Sequence, residues 1–166
     1  MMAAKKPHIL TWIGVMSGMI FATACLSSAQ PAAGPMGGWE KGGTYDRFYN
    51  AQELDKFKGT VTKIQEVTPL KGMSPGVALM VKEKDGDNVL VHLGPRWFID
   101  PQTMGIRVGD KVKVTGCWAD INDQEVFIAS KVKKGDHFEF KVRLTKDGTP
   151  FWTMSPEELA KKRAGD

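Results

Sequence analysis

Cysteine is almost missing from this 166-residue chain: there are two, Cys25 and Cys117, and no Cys-x-x-Cys pair. If Cys25 leaves with an N-terminal leader, no internal disulfide can form and the fold must rest on its hydrophobic core. Histidine is scarce as well; of three, only His92 and His137 lie beyond the leader, and they are not at ligand spacing for a metal. There is no Ser-His-Asp set, no phosphate loop, no dinucleotide fingerprint and no carboxylate pair on a rigid element. Asp85, Asp110, Asp123 and Asp147 all sit in turn signals, which explain them without catalysis. These absences leave no reaction to assign, so neither an enzyme nor a cofactor is expected.

Acidic residues are also absent before Glu40. Lys5 and Lys6 followed by an apolar run from Ile9 to about Leu26 read as a secretory leader, with Ser27-Ser28-Ala29 as its cleavage site. Residues 1–29 are therefore expected to be removed. Two alternatives stay open: an uncleaved membrane anchor, or lipidation at Cys25 in the imperfect lipobox Ala22-Thr23-Ala24-Cys25. Each puts the domain outside the cytoplasm, in the periplasm, free or tethered. Losing Lys5 and Lys6 takes the formal charge from +4 to +2, and no nucleic-acid partner is expected from so slight an excess.

Residues 30–43 are rich in Pro, Ala and Gly and read as a flexible linker, reaching about 20 Å. A domain over 44–154 follows, then a short C-terminal helix over 155–166. Tyr45, Phe48 and Tyr49 have helical spacing behind Thr44, which predicts a short amphipathic helix. From Lys58 the period becomes two. Val61 and Ile64 fall out of phase in the first strand, which a β-bulge repairs. Val77, Leu79 and Val81 mark a second strand, Asp85-Gly86 a hairpin turn, and Val89, Val91 and Leu93 a third. Asp100-Pro101 with Gly105 predicts a helix of a turn or two. The valines and lysines that alternate over 111–114 predict a fourth strand, with the lysines on a solvated face that also protects a sheet edge. A fifth strand over 126–132 and a sixth over 138–144 complete the pattern, the sixth placing His137, Glu139, Lys141 and Arg143 on one side. Ser155-Pro156-Glu157-Glu158 is a capping box. The expected fold is all-β with minor α: a six-stranded OB-fold-like barrel with a short helix between strands three and four, and an SH3-like barrel as the alternative.

The least ordinary stretch is residues 89–99, where a strand meets Gly94-Pro95 and then Arg96-Trp97-Phe98-Ile99. Strand phase sets His92 opposite the core valines, so His92, Arg96, Trp97 and Phe98 are the candidate partner-binding residues. His92, Cys117 and His137 are weak metal candidates; beside the alternating lysines Cys117 reads either as a reactive thiol or as a small core residue, the latter favoured. Its phase puts it on the polar side unless Gly116 bulges. The function that follows is a non-enzymatic binding module for a protein or envelope partner, with a metal-handling or redox accessory as the alternative.

Tyr45-Asp46-Arg47-Phe48-Tyr49-Asn50, Gly72-Met73-Ser74, Val91-His92-Leu93-Gly94-Pro95-x-Trp97-Phe98 and Gly109-Asp110-Lys111-Val112 together resemble small exported bacterial OB-like proteins. Most of these are uncharacterised, and some, of the MamS type, are associated with magnetosome membranes. The likeness runs from about Thr44 to Trp152, with Arg96 and Cys117 as departures. It implies the fold and the compartment, and supplies no activity or ligand to carry over.

Overall fold

A computed structural model describes residues 36–164; the expected leader, its cleavage point and Cys25 lie outside them. The fold is mostly β. Six strands make one sheet: β1 (Asp55–Val67), β2 (Gly76–Glu83), β3 (Asn88–Pro95), β4 (Lys111–Ile121), β5 (Gln124–Lys134) and β6 (Phe138–Lys141), in the order β3-β2-β1-β4-β5-β6. Neighbours in that order are antiparallel. β3 also runs parallel to β5, with Val91 opposite Phe127 and His92 opposite Ile128, which curls the sheet into a partial ring. One helix, α1 (Pro156–Ala164), follows, its first turn closed by reciprocal hydrogen bonds between Ser155 and Glu158.

Local chemistry accounts for the turns of this sheet. In the β1–β2 ladder Val61 faces Val81 and Lys63 faces Met80, so Thr62 is the extra residue that brings Val61 and Ile64 back into phase. The β4–β5 hairpin turns on Asn122 and Asp123, whose φ values of 53° and 60° suit a two-residue turn that few side chains except Asn and Asp accept. Inside the curl, Val61, Leu79, Val81, Val89 and Val91 form a continuous buried face with Phe127. Phe57, Phe127 and Trp118 stack at one side of it, and the Trp118 indole donates to Asp55.

Several expectations are corrected. Between β3 and β4 no helix forms; Asp100 accepts from the Thr103 and Met104 amides and its carboxylate from Gln102 and Thr103, so the Asp-Pro signal ends in a single turn. Met104 and Ile106 are buried there, too few anchors to extend it. The helix expected near Tyr45 shrinks to a 3-10 turn at Asp46–Phe48. The lysines of β4 guard no edge, because β4 is an inner strand flanked by β1 and β5. β6 stops at Lys141, and Arg143 turns inward instead of sharing a face with Glu139.

The described part of the expected linker, residues 36–43, is packed and not free. Trp39 is 1 % exposed, donates its indole N–H to the Ser74 carbonyl at 3.0 Å, and meets Tyr45 and Trp152 edge to face. One large aromatic thus outweighs the glycines around it, since burying an indole returns more free energy than ordering a few small residues costs. Trp39→Ala is expected to destabilise the fold by about 3–5 kcal/mol, read as a lowered urea midpoint; an unchanged midpoint would mean that this segment lies loose on the domain.

Candidate functional site

The corner after β3 is built on two glycines in adjacent strands. Gly76 lies opposite Pro95, and Gly94 opposite Val77. A Cβ on Gly76 would collide with the Trp39 ring, and one on Gly94 would lie 2.6 Å from Trp152 and 3.1 Å from Ile99. Both residues are glycine because indoles occupy the space a side chain needs. The chain then turns tightly: the Phe98 and Ile99 amides both donate to the Pro95 carbonyl at 3.0 Å, and the Arg96 amide donates to Pro75 at 2.9 Å. Ile99 is buried, and Phe98 is half-buried against Trp152, ring centroids 6.1 Å apart.

Arg96 and Trp97 remain outside. The Arg96 Nε lies 3.3 Å from a Glu66 carboxylate oxygen, an exposed pair that contributes little by itself. Trp97 is 53 % exposed and touches Phe98 edge to face. The corner is therefore an exposed side-chain pair on a backbone fixed by hydrogen bonds.

His92 is not on that surface. It is 3 % exposed, and its Nδ1 lies 3.2 Å from the Tyr45 hydroxyl, with the two rings stacked at 6.0 Å. Strand phase places it on the sheet's outer side, as expected, but residues 39–50 cover that side. Burial pushes the imidazole down to about 4 and the Tyr45 phenol well above its ordinary range, so both are neutral at pH 7. The pair is satisfied when the hydroxyl donates to Nδ1 of a neutral ring.

Cys117 follows the same logic. It pairs with Ile128, the residue that also lies opposite His92, and so shares the covered outer side. The extra residue in the β4–β5 ladder is Ser130 on β5, so Cys117 keeps the phase of Thr115 and is buried by what lies over it, not by a bulge at Gly116. Its Sγ accepts from the Asn50 amide at 3.3 Å, and burial raises the thiol pKa. The outcome is an inert core thiol. His137 is exposed beside the β5–β6 turn. Two strand spacings, roughly 9–10 Å, separate the His92 and Cys117 strand positions. Among the described residues no three His, Cys, Asp or Glu side chains group as a metal site.

One functional group of this region escaped the sequence reading. Arg143 is 2 % exposed, its Nη1 2.6 Å from Asp46 and 3.0 Å from the Gly148 carbonyl, with its guanidinium over the Tyr49 and Trp152 rings at 4.9 and 5.0 Å. Its Nε has no partner. Asp46 in Tyr45-Asp46-Arg47 was the available signal, an acidic residue inside an otherwise aromatic run.

These features define a small, mostly β module with a rigid aromatic corner and a buried polar network beneath it. The chain belongs to the MamS/MamX magnetosome protein family, whose model matches residues 53–139. No curated protein shows a significant match to it. The matched span takes in His92, Arg96, Trp97, Phe98, Cys117 and His137, whereas Trp39, Tyr45, Arg143 and Trp152 of the covering layer fall outside it.

The His92 pKa gives a signed expectation. Between its unfolded value of 6.5 and its folded value of about 4, the unfolded chain takes up a proton that the folded chain refuses. Stability is therefore unaffected by this group above that window and falls as pH drops through it, by about 3 kcal/mol in total. His92→Gln, which cannot titrate, is expected to lose less stability than wild type between neutral and acidic pH in urea unfolding. Equal losses would show that His92 is not held neutral.

Proposed function

We propose that the protein is a non-enzymatic, extracytoplasmic binding module that works at a magnetosome membrane and docks a protein partner or other envelope component through the 96–98 corner. Trp97 carries this reading. An indole exposed to 53 % stands on a backbone already fixed by the hydrogen bonds to Pro75 and Pro95, so a partner burying it gains area without having to order the turn beneath it. Arg96 beside it offers a guanidinium held by an exposed carboxylate and one long hydrogen bond from Nη1 to the Ile99 carbonyl, and so available to a partner's acidic group. The magnetosome setting rests on family membership, and export rests on the leader-like first 29 residues.

We read the sheet as an OB-like barrel. Five strands in the ring order β1-β2-β3-β5-β4, with a sixth appended at the edge, resemble that five-stranded, partly open barrel. The ring supports this reading over the SH3-like alternative, in place of the missing helix. The alternative function, a metal-handling or redox accessory using His92 and Cys117, has weaker support because both side chains are buried and engaged with Tyr45 and Asn50.

The corner is tested by placing a photo-crosslinking side chain at position 97 and, as a control, at exposed position 71 in cells. A discrete adduct from position 97 and none from 71 is expected, and Arg96→Ala should weaken it. Trp97→Ala should leave stability within about 0.5 kcal/mol of wild type. Identical crosslinking from both positions, or a collapse of stability in Trp97→Ala, would refute the docking role.

A further inference from the structure

The outer side of the sheet is covered at one end and bare at the other, and the bare end is made of lysine. In the β1–β4 ladder Lys58 lies directly opposite Lys113, and in the β4–β5 ladder Lys113 lies directly opposite Lys133. One register step along, Thr60 lies opposite both Lys82 and Lys111. On the other side of that row, Lys131 lies opposite Lys141. Paired residues of a ladder point to the same side of a sheet, so these rows form one surface. An open cleft of about 650 Å³ lies over its first two rows, and Lys84 at the β2–β3 turn lines it too.

Directly opposed like charges are unfavourable in a sheet, and here they span three strands. The carboxylate within the rows is Glu139, within 4 Å of the ammonium groups of Lys131, Lys133 and Lys141; Glu83 and Asp136 also line the cleft, where six lysines outnumber them. Among the described residues Lys58, Lys82, Lys84, Lys111 and Lys113 have no ion-pair partner. The formal excess of the chain is small, so this end is a local concentration of charge and not a share of a uniformly basic protein. A surface built this way lowers its own repulsion when an anion lies across it.

The composition of the face selects among anions. It holds no arginine, the residue suited to bidentate capture of a protein carboxylate, and no aromatic or aliphatic anchor of the kind that dominates protein interfaces. Nor has it rings on which bases could stack. What it offers is hydrated point charges on flexible stems, spread over an open surface, which need no fixed partner geometry. That matches a plane of phosphate headgroups, to which each nearby lysine adds a similar increment. We propose that this lysine face docks the domain on a bilayer bearing anionic phospholipids. It shares no residue with the 96–98 corner, so the two sites can fail separately.

The test is co-sedimentation of the full-length protein with vesicles of phosphatidylcholine alone, or with about 30 mol % phosphatidylglycerol, at about 50 and about 500 mM salt. Neutral vesicles report any insertion of the apolar N-terminal run. The anionic-to-neutral partition ratio is expected to be high at low salt and close to one at high salt. Lys58→Gln with Lys113→Gln and Lys133→Gln should lower it about a hundredfold, with little change in thermal midpoint, because the opposed charges removed offset the loss of the half-exposed Lys133–Glu139 pair. Lys82→Gln with Lys84→Gln, exposed beside a turn, should lower it by less. Lys71→Gln, in the loop between β1 and β2 and outside these ladders, should not change it. A ratio near one for wild type, or an unchanged ratio in both face variants, overturns the proposal. So does capture of poly-glutamate without preference for anionic vesicles, which assigns the face to an acidic polypeptide.

Discussion

Arg143 is the residue on which the covering layer depends. A guanidinium taken out of water is tolerated only where a carboxylate and carbonyls replace the lost hydration, and here Asp46 and Gly148 do so from opposite ends of the domain. Asp46 belongs to the segment before β1, and Gly148 to the one after β6. One cation therefore ties both flanks together over the same patch of sheet, with the Tyr49 and Trp152 rings on its faces. Trp152 in turn donates its indole N–H to the Trp39 carbonyl at 2.8 Å. The chain of contacts runs from Arg143 to Trp152, Trp39, Tyr45 and His92 without leaving the interior. Removing Asp46 would leave a buried cation without its counter-charge, a loss on the order of 3–5 kcal/mol.

That layer explains what was legible in the sequence and what was not. Period-two alternation locates all six strands, and the out-of-phase step at Val61 and Ile64 locates the bulge at Thr62, because both are properties of one strand read along itself. The Asn122-Asp123 turn and the Ser155–Glu158 capping box are equally local. His92 and Cys117 were placed on the correct side of their strands, yet their exposure depends on residues 47 and 67 positions away in the chain. Periodicity reports which side a residue faces and says nothing of what covers that side. Trp39 illustrates the converse: its neighbours have the composition of a linker, and a single indole reverses the outcome. Arg143 falls in phase with Glu139 and Lys141, but the strand ends at Lys141, so the phase argument no longer applies to it.

The same side of the sheet thus carries two opposite solutions. Around Thr115, Cys117 and Ile128 the polar backbone and side chains are dried by the aromatic layer, and the histidine there is neutral. A few residues along the same strands, at Lys58, Lys113 and Lys133, the sheet is left wet and positively charged. β4 crosses from one regime to the other between Lys113 and Thr115. A lysine ladder at the centre of a sheet cannot be ascribed to protecting an edge, and it does not help the inner core, whose valines would pack as well beneath uncharged side chains.

The proposed division of labour between the corner and the lysine face is consistent with these constraints. Docking through the 96–98 corner needs a base that does not move, and the covering layer provides it by packing Trp152 under Gly94 and Phe98. Docking through lysines needs the reverse, side chains with rotamer freedom above a regular ladder, so that many weak contacts add without any one being fixed. Rigidity is spent where a partner has shape, and mobility is kept where the partner is a charged plane. The two proposed sites thus ask opposite things of one small sheet, and the covering layer, present at one end and absent at the other, meets both.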